Sequence, residues 1–453
     1  VSNQGSIKYI MKQQFLLILL IVCSFSVKLT QAQDSTRLSL QTALENAVSH
    51  RLEIRIQQSN AAHSANEVSK IGSRFLPQLN SDLSVQYNSQ LQTVILPGTA
   101  FGLAGTPSKR VRFGTAYNTT ADLNLVIPIY NAADYSDQKI AKSQATYDQM
   151  NVQKTIIDIR EEVTDSYFNA LISKKKLDLS KINFDNTLAV FTMAKTQLIQ
   201  GAITSYDLNK NNIDFQNAKS DYTRNVNSYQ LALVDLIYRT GLDSVSKLVL
   251  SDDLNKLFAE YNQNFSTVHQ QDRIEVQMQG LQTLIYKQNM SRQNKGYLPV
   301  FSAYSNYTAQ NLNKTFTPFN AGTWYPYNYI GLKASIPVFD GFLKHRTRRG
   351  YEILVQSSEL LKQKLIRDYH QDVLNAEISM RNDQQDLGNQ QNNLSLALEL
   401  YKIDSDRYRK GTIKQTDLAA SYYTLQQTQN NYLNAMYTYL IEVVQYKKAQ
   451  GSL

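Results

Sequence analysis

The sequence is nearly without cysteine: Cys23 is the only one in 453 residues. A chain so poor in thiols has neither a disulfide framework nor a thiolate metal site, so its stability has to come from packing or assembly. Histidine is almost as scarce. His50, His63, His269, His345 and His370 stand apart from one another with no metal-ligand spacing, and no metal or cofactor is expected. Proline occurs only at positions 77, 97, 107, 128, 299, 318, 326 and 337. It is therefore missing from two very long stretches, which are free to be helical because nothing in them breaks the hydrogen-bond ladder. Beyond the N-terminus no apolar run approaches the ~20 residues of a membrane-spanning helix, which argues against inner-membrane transport by this chain.

One short apolar run is present. Phe15 to Val22 follows Met11 and Lys12 and precedes Thr30-Gln31-Ala32, a small-x-small cleavage pattern, so residues 1–32 read as upstream residues and an export signal. Cleavage after Ala32 would leave Gln33 first. It would also remove Cys23, which lacks the small preceding residue of a lipidation site. The formal charge of +9 is scattered along the chain, with its densest cluster at Lys344, His345, Arg346, Arg348 and Arg349. An exported chain seldom meets nucleic acid, so no nucleic-acid partner is expected; the cluster is either a solvated helix face or a contact with anionic lipid headgroups.

What the proline-free stretches do contain is a heptad. Every seventh residue from Ile156 gives Val163, Ala170, Leu177, Phe184, Phe191 and Leu198, the period of a left-handed coiled coil. The same seam returns 210 residues later as Ile366, Val373, Met380, Leu387, Leu394, Tyr401 and Tyr408. A second repeat follows each: Leu208, Phe215, Tyr222, Tyr229 and Leu236, then Leu418, Leu425, Tyr432, Tyr439 and Tyr446. Between the two helices of each pair lies a matched turn, Gly201 to Leu208 and Gly411 to Leu418, of the form G-x(5)-D-L. Glycine supplies a left-handed stop, and Asp207 or Asp417 places a carboxylate at the positive end of the next helix. The chain is a duplication of a helical hairpin.

Ahead of each hairpin the period changes to two. Leu79, Ser81, Leu83, Val85 and Tyr87 alternate with polar residues, as do Tyr117 to Ile127, and the second copy repeats this at Phe301 to Ala309 and Ile330 to Ile336. Each half thus supplies one hairpin of two strands about as long as a tilted membrane strand. The prolines are expected at strand boundaries or in hairpin loops, and the first hairpin carries the longer loop. Trp324, Tyr325, Tyr327 and Tyr329 suit a membrane interface. The helix preceding the strands is expected to start at Ser39 and run to about Arg74. Glu161 and Glu162 read as solvated helix residues. The division is 1–32 signal and upstream residues, 33–77 helix, 78–128 strand hairpin, 129–241 helical hairpin, 242–270 linker, 271–298 helix, 299–337 strand hairpin and 338–453 helical hairpin.

This ordered set of features, spanning about Leu38 to Gly451, resembles the TolC outer-membrane efflux factor family. The resemblance implies a mainly α chain with a β-barrel part, in which a homotrimer joins a twelve-stranded β-barrel to an α-barrel that extends into the periplasm. It implies an outer-membrane exit duct of a tripartite efflux or type I secretion system, with no catalysis. The hairpin tips, including Gly201, Asp207, Leu208, Gly411, Asp417 and Leu418, would meet a periplasmic adaptor protein and through it an inner-membrane pump. Asp417 and Tyr408 match the family's acidic ring and lock tyrosine at the periplasmic entrance. Ala420 stands at the second acidic position, and Ile413, beside Lys414, at the lock arginine's. Without the family, four strands still leave open edges that only oligomerisation can close. The competing reading is a non-pore coiled-coil scaffold of the cell envelope.

Overall fold

The structure, a computed structural model, describes residues 36–101, 107–242, 248–261 and 273–452. The expected export signal, Cys23 and His269 lie outside the described residues. The order is β1 (Thr36–Leu38), α1 (Leu40–His50), α2 (Leu52–Gly72), β2 (Gln78–Tyr87), β3 (Gln92–Leu96), β4 (Lys109–Phe113), β5 (Tyr117–Tyr130), α3 (Ala132–Ile199) and α4 (Ser205–Thr240). It continues with β6 (Leu248–Leu250), α5 (Leu254–Tyr261), α6 (Ile274–Lys295), β7 (Val300–Asn313), β8 (Trp324–Ser335), α7 (Leu343–Arg409) and α8 (Gln415–Gln450). The chain folds as two units. One takes the described residues up to Arg55, Thr155 to Tyr261, and those from Tyr369 on; the other takes Ile56–Lys154 and the described residues from Arg273 to Asp368.

The first unit is helical, and the heptad seams are its core. In α3 and α4, Phe184 packs on Phe215 and Tyr222 and Phe191 on Phe215, with ring centroids 5.4 to 5.7 Å apart. Tyr401 of α7 meets Tyr422 of α8 at 5.2 Å. The buried core lies where both hairpins meet the linker: Val163, Ala170, Leu236, Leu440, Val443 and Val444 are buried together with Leu38, Leu248 and Leu250 of the parallel β1–β6 pair. Helix α5 joins the same core through Leu254 and Leu257, and its Phe258 lies 5.7 Å from Tyr439. Two hydrogen bonds at Asp252 tie the linker to α3 and α1, from the Tyr167 hydroxyl at 2.9 Å and the Leu40 amide at 2.8 Å. A carboxylate that satisfies an orphan helix amide and a buried phenol together locks three segments at once.

The expected single helix from Ser39 is two. Ser39 does cap α1, its hydroxyl accepting from the Thr42 amide at 3.2 Å, but Arg51 is extended and ends the helix. The break lets the Arg51 guanidinium bond Glu53 at 2.8 Å and the Arg239 carbonyl at 3.2 Å. Its backbone crowds Gly241, where a Cβ would lie 3.0 Å from the Arg51 nitrogen. Long-range bonds of this kind override helix propensity, which is worth well under 1 kcal/mol per residue.

In the second unit, one antiparallel sheet runs β2-β5-β7-β8, so the two strand hairpins join through β5 and β7, and β2 and β8 are the edges. Pro128 is inside β5, where the register shifts between Pro128 and Tyr130; a residue without an N–H bulges the ladder. Pro326, expected in a loop, lies within β8 opposite Ala309 and is tolerated because β8 is an edge. The long first loop contributes a ribbon of its own, β3 paired with β4. No helix among the described residues is long and apolar enough to cross a membrane.

Candidate functional site: hairpin tips and sheet faces

The two tips have the same construction. Gly201 and Gly411 sit at φ 69° and 70°, the left-handed region. Their amides donate at 2.9 Å to the Leu198 and Tyr408 carbonyls, and the next amides, of Ala202 and Thr412, reach back to Gln197 and Arg407 at 2.8 and 2.9 Å. These bonds close the last turn of each long helix. Both glycines are exposed, and a Cβ on either would meet nothing within 4 Å. The return helix is capped three positions after each glycine, by Thr204 and Lys414, and starts at the fourth. Thr204 and Asp207 form a reciprocal cap, the Asp207 amide donating to the Thr204 hydroxyl at 3.2 Å and the Thr204 amide to the Asp207 carboxylate at 3.1 Å. Hydrogen bonds from Thr204 hold the Asp207 carboxyl below its usual range. Asp417 likewise accepts from the Lys414 amide at 3.3 Å. Leu208 and Leu418 are half-buried, whereas Tyr408 is 41% exposed.

Sequence reasoning missed what lies between the hairpins. A groove of about 590 Å³ separates them near the tips, with Asn183, Thr187 and Asp214 on one wall and Leu418, Tyr422 and Gln426 on the other. Gln415 donates across it to Asn211 at 3.1 Å, and Asn186 to Tyr422 at 3.3 Å. The Gln426 amide nitrogen is buried there with no protein acceptor. Only an excess of Asn, Gln and Tyr near the tips hints at such a groove from sequence.

The sheet separates polarity by face. Cross-strand partners share a face, so register aligns Leu79, Leu125 and Ser305 with Ile330, and on the other side Asp82, Asp122 and Thr308 with Tyr327. The polar face is a hydrogen-bonded ladder: Asn306 donates to Asn124 at 2.6 Å, Asn124 to Asp82 at 3.4 Å, and Thr308 to Asp122. Tyr325, Tyr327 and Tyr329, whose type suits a membrane interface, pair with Gln310, Thr308 and Asn306 and so belong to this polar face. Trp324 alone of that cluster is on the other side, its indole N–H donating to the Pro318 carbonyl at 2.9 Å.

Of the paired acids of α3, Glu161 is largely buried, contrary to expectation, whereas the Glu162 side chain remains 44% exposed. Glu161 accepts from Gln445 at 2.7 Å and pairs with Lys448, while Glu162 meets Arg51 and Arg239, both at 3.4 Å. One turn on, Asp165 has a buried oxygen without a protein partner. Burial, with the Glu161 carboxylate, pushes Asp165 up to about 7 despite Arg239 and Lys448. Unfolded, the group titrates near 3.8. The folded protein therefore holds the extra proton between those values, and this contribution to stability is full below pH ~4 and is lost as pH rises through ~7. Asp165→Asn should accordingly stabilise the protein by about 1 to 2 kcal/mol at pH 8 and by much less at pH 5. Thermal melts of both proteins at the two pH values check this; equal gains at both would remove Asp165 as the cause.

Each of two repeats supplies two strands of one amphipathic sheet and one pair of long helices, and the sheet is open at both edges. The family model described as outer membrane efflux protein matches residues 43–242 and 273–452, and the chain belongs to that family. It is an outer-membrane efflux channel with a periplasmic helical extension, not an enzyme. No curated protein sequence matches it. Solved structures share the fold. The CusC channel superposes with a TM-score of 0.71 at 15% identity, covering 94% of this chain and 96% of that one. The Campylobacter jejuni CmeC outer membrane channel gives 0.69 at 14%, covering 91% and 85%. The open state of the Neisseria gonorrhoeae MtrE outer membrane channel gives 0.68 at 14%, covering 91% and 88%.

Proposed function

We propose that three copies of this chain close one twelve-stranded barrel in the outer membrane and that their helical tips dock a periplasmic adaptor, which links the duct to an inner-membrane pump. The observation that carries the oligomer is the pair of unpaired edges, β2 and β8, on a sheet of only four strands. Bilayer hydrocarbon leaves unpaired backbone groups unsatisfied, and the smallest membrane barrels use about eight strands, so one chain cannot span alone. Family membership favours three copies over two. The apolar face then meets lipid and the polar ladder lines water.

Docking is supported by the exposed glycines, which let a partner's backbone approach, and by the groove behind them with its unsatisfied Gln426 donor. An adaptor's helical hairpin would supply both the apolar contact with Leu208 and Leu418 and the missing acceptor. Asp207 and Asp417 act first as helix caps. Asp417, with Tyr408, is proposed in addition to narrow the entrance, as a single acidic ring because Ala420 stands one turn on. Outer-membrane fractions should give a band of three chains on unboiled gels that collapses to one chain on heating. A monomer band before heating, in a fraction that contains the protein, would overturn the assembly.

A further inference from the structure

The junction between β8 and α7 differs from its counterpart in the first repeat. After β5 the chain enters α3 through Asn131 and places Asp134 in the first turn, with no cation before Lys139. After β8 it passes Val338 and Phe339, turns at Gly341 and Phe342, and enters α7 on Lys344, His345, Arg346, Arg348 and Arg349. Cations at a helix start oppose the helix dipole, and α7 has no acid in its first turn to offset them. Asp340 takes Lys344 at 3.1 Å and Glu352 takes Arg349 at 2.8 Å. Among the described residues, exposed Arg346 has no such ion pair, and exposed Arg348 has only the more distant pull of Glu352, which Arg349 already holds.

Beside these cations stands an uncovered apolar ridge. Val338 is 91% exposed and Phe339 75%, and Phe342 and Leu343 are exposed with them. Phe339 and Phe342 meet edge to face at 5.4 Å. Phe342 holds φ 65°, the one positive value outside glycine among the described residues, and Gly341 before it holds 64°. A bulky residue in this region is strained, and in this conformation the Phe342 ring lies against Phe339 on the ridge.

We propose that this junction is a docking surface for anionic phospholipid of the periplasmic leaflet, the ridge entering the acyl region while Arg346 and Arg348 bind headgroup phosphate. The inference rests on the reading of the four strands as membrane-spanning, because that reading sets the junction at the periplasmic surface of the bilayer. Charge complementarity selects the occupant: Arg346 and Arg348 stand exposed beside the ridge, and a leaflet containing acidic lipid offers apolar depth and negative charge in the same order as the ridge and the cations.

The test places a single tryptophan on the ridge, Phe339→Trp in a Trp324→Phe background, with the full protein in vesicles of phosphatidylethanolamine containing a minor share of phosphatidylglycerol. One or the other lipid carries brominated chains. Assembly is scored first by heat-modifiable migration; a protein that does not assemble defeats the membrane-spanning reading and this inference with it. In assembled protein, brominated phosphatidylglycerol should quench beyond its share of the vesicle, and Arg346→Gln with Arg348→Gln should lower that preference roughly tenfold. Equal quenching by both lipids, or a preference that survives the double substitution, would overturn the proposal. So would an absence of quenching by either lipid, which would mean that a neighbouring copy covers the ridge.

Discussion

Leu123→Arg should cost about 2 to 4 kcal/mol of barrel stability, while Asn124→Arg, the adjacent position, should cost about 1 kcal/mol or less. Register puts Leu123 on the face with Leu79, Leu125 and Ile330, and a guanidinium there would sit in hydrocarbon near the middle of the strand. Asn124 is on the opposite face between Asp82 and Asn306. An arginine there gives up two side-chain bonds and remains in water next to a carboxylate. The loss for Leu123→Arg is therefore a desolvation cost, and that for Asn124→Arg a repacking cost. Unboiled gels and denaturant titration of the extracted protein measure both. If the two variants assemble equally well, the faces assigned to lipid and water are reversed or the sheet does not span.

Gly411→Trp should leave the assembled protein in the outer membrane and abolish adaptor co-purification and export together. At φ 70° any side chain is strained, and the cost falls on a single turn whose surroundings are open within 4 Å. A local defect of that kind has no packed neighbours through which to reach the distant strands. What the indole does obstruct is close approach of a partner's backbone to the tip. Gly201→Trp should act in the same direction, since the two turns share their φ values and their closing bonds. Loss of assembly without selective loss of the adaptor would show that glycine merely ends the helix. Normal export with the adaptor retained would take the tips out of the mechanism.

Much of this molecule is written in local periodicity. A seven-residue apolar repeat forces one helix face against another, so Phe184, Phe191, Phe215 and Tyr222 were legible as seam residues, while which ring meets which came from the fold. Strict alternation did the same for the sheet, since a period of two leaves no freedom over which residues share a face. Tyr325, Tyr327 and Tyr329 show the same rule from another side: their residue type suits a membrane interface but names no face, whereas parity sets them opposite Ile330, Leu332 and Ala334. The alternation was legible, and residue type was the weaker guide.

The sequence alone therefore determined the duplication, the long hairpins with their glycine turns, and the four strands with their two faces, because each depends on residues a few positions apart. Tertiary structure alone decided where partners distant in sequence meet. Arg51 breaks a helix in order to reach the Arg239 carbonyl; Glu161 is held by Gln445 and Lys448; β4 finds β3 across the long first loop; and the groove behind the tips exists only because α7 and α8 stand beside α3 and α4. A buried carboxylate such as Asp165 acquires its proton affinity from groups on other helices, and no spacing along its own helix records them.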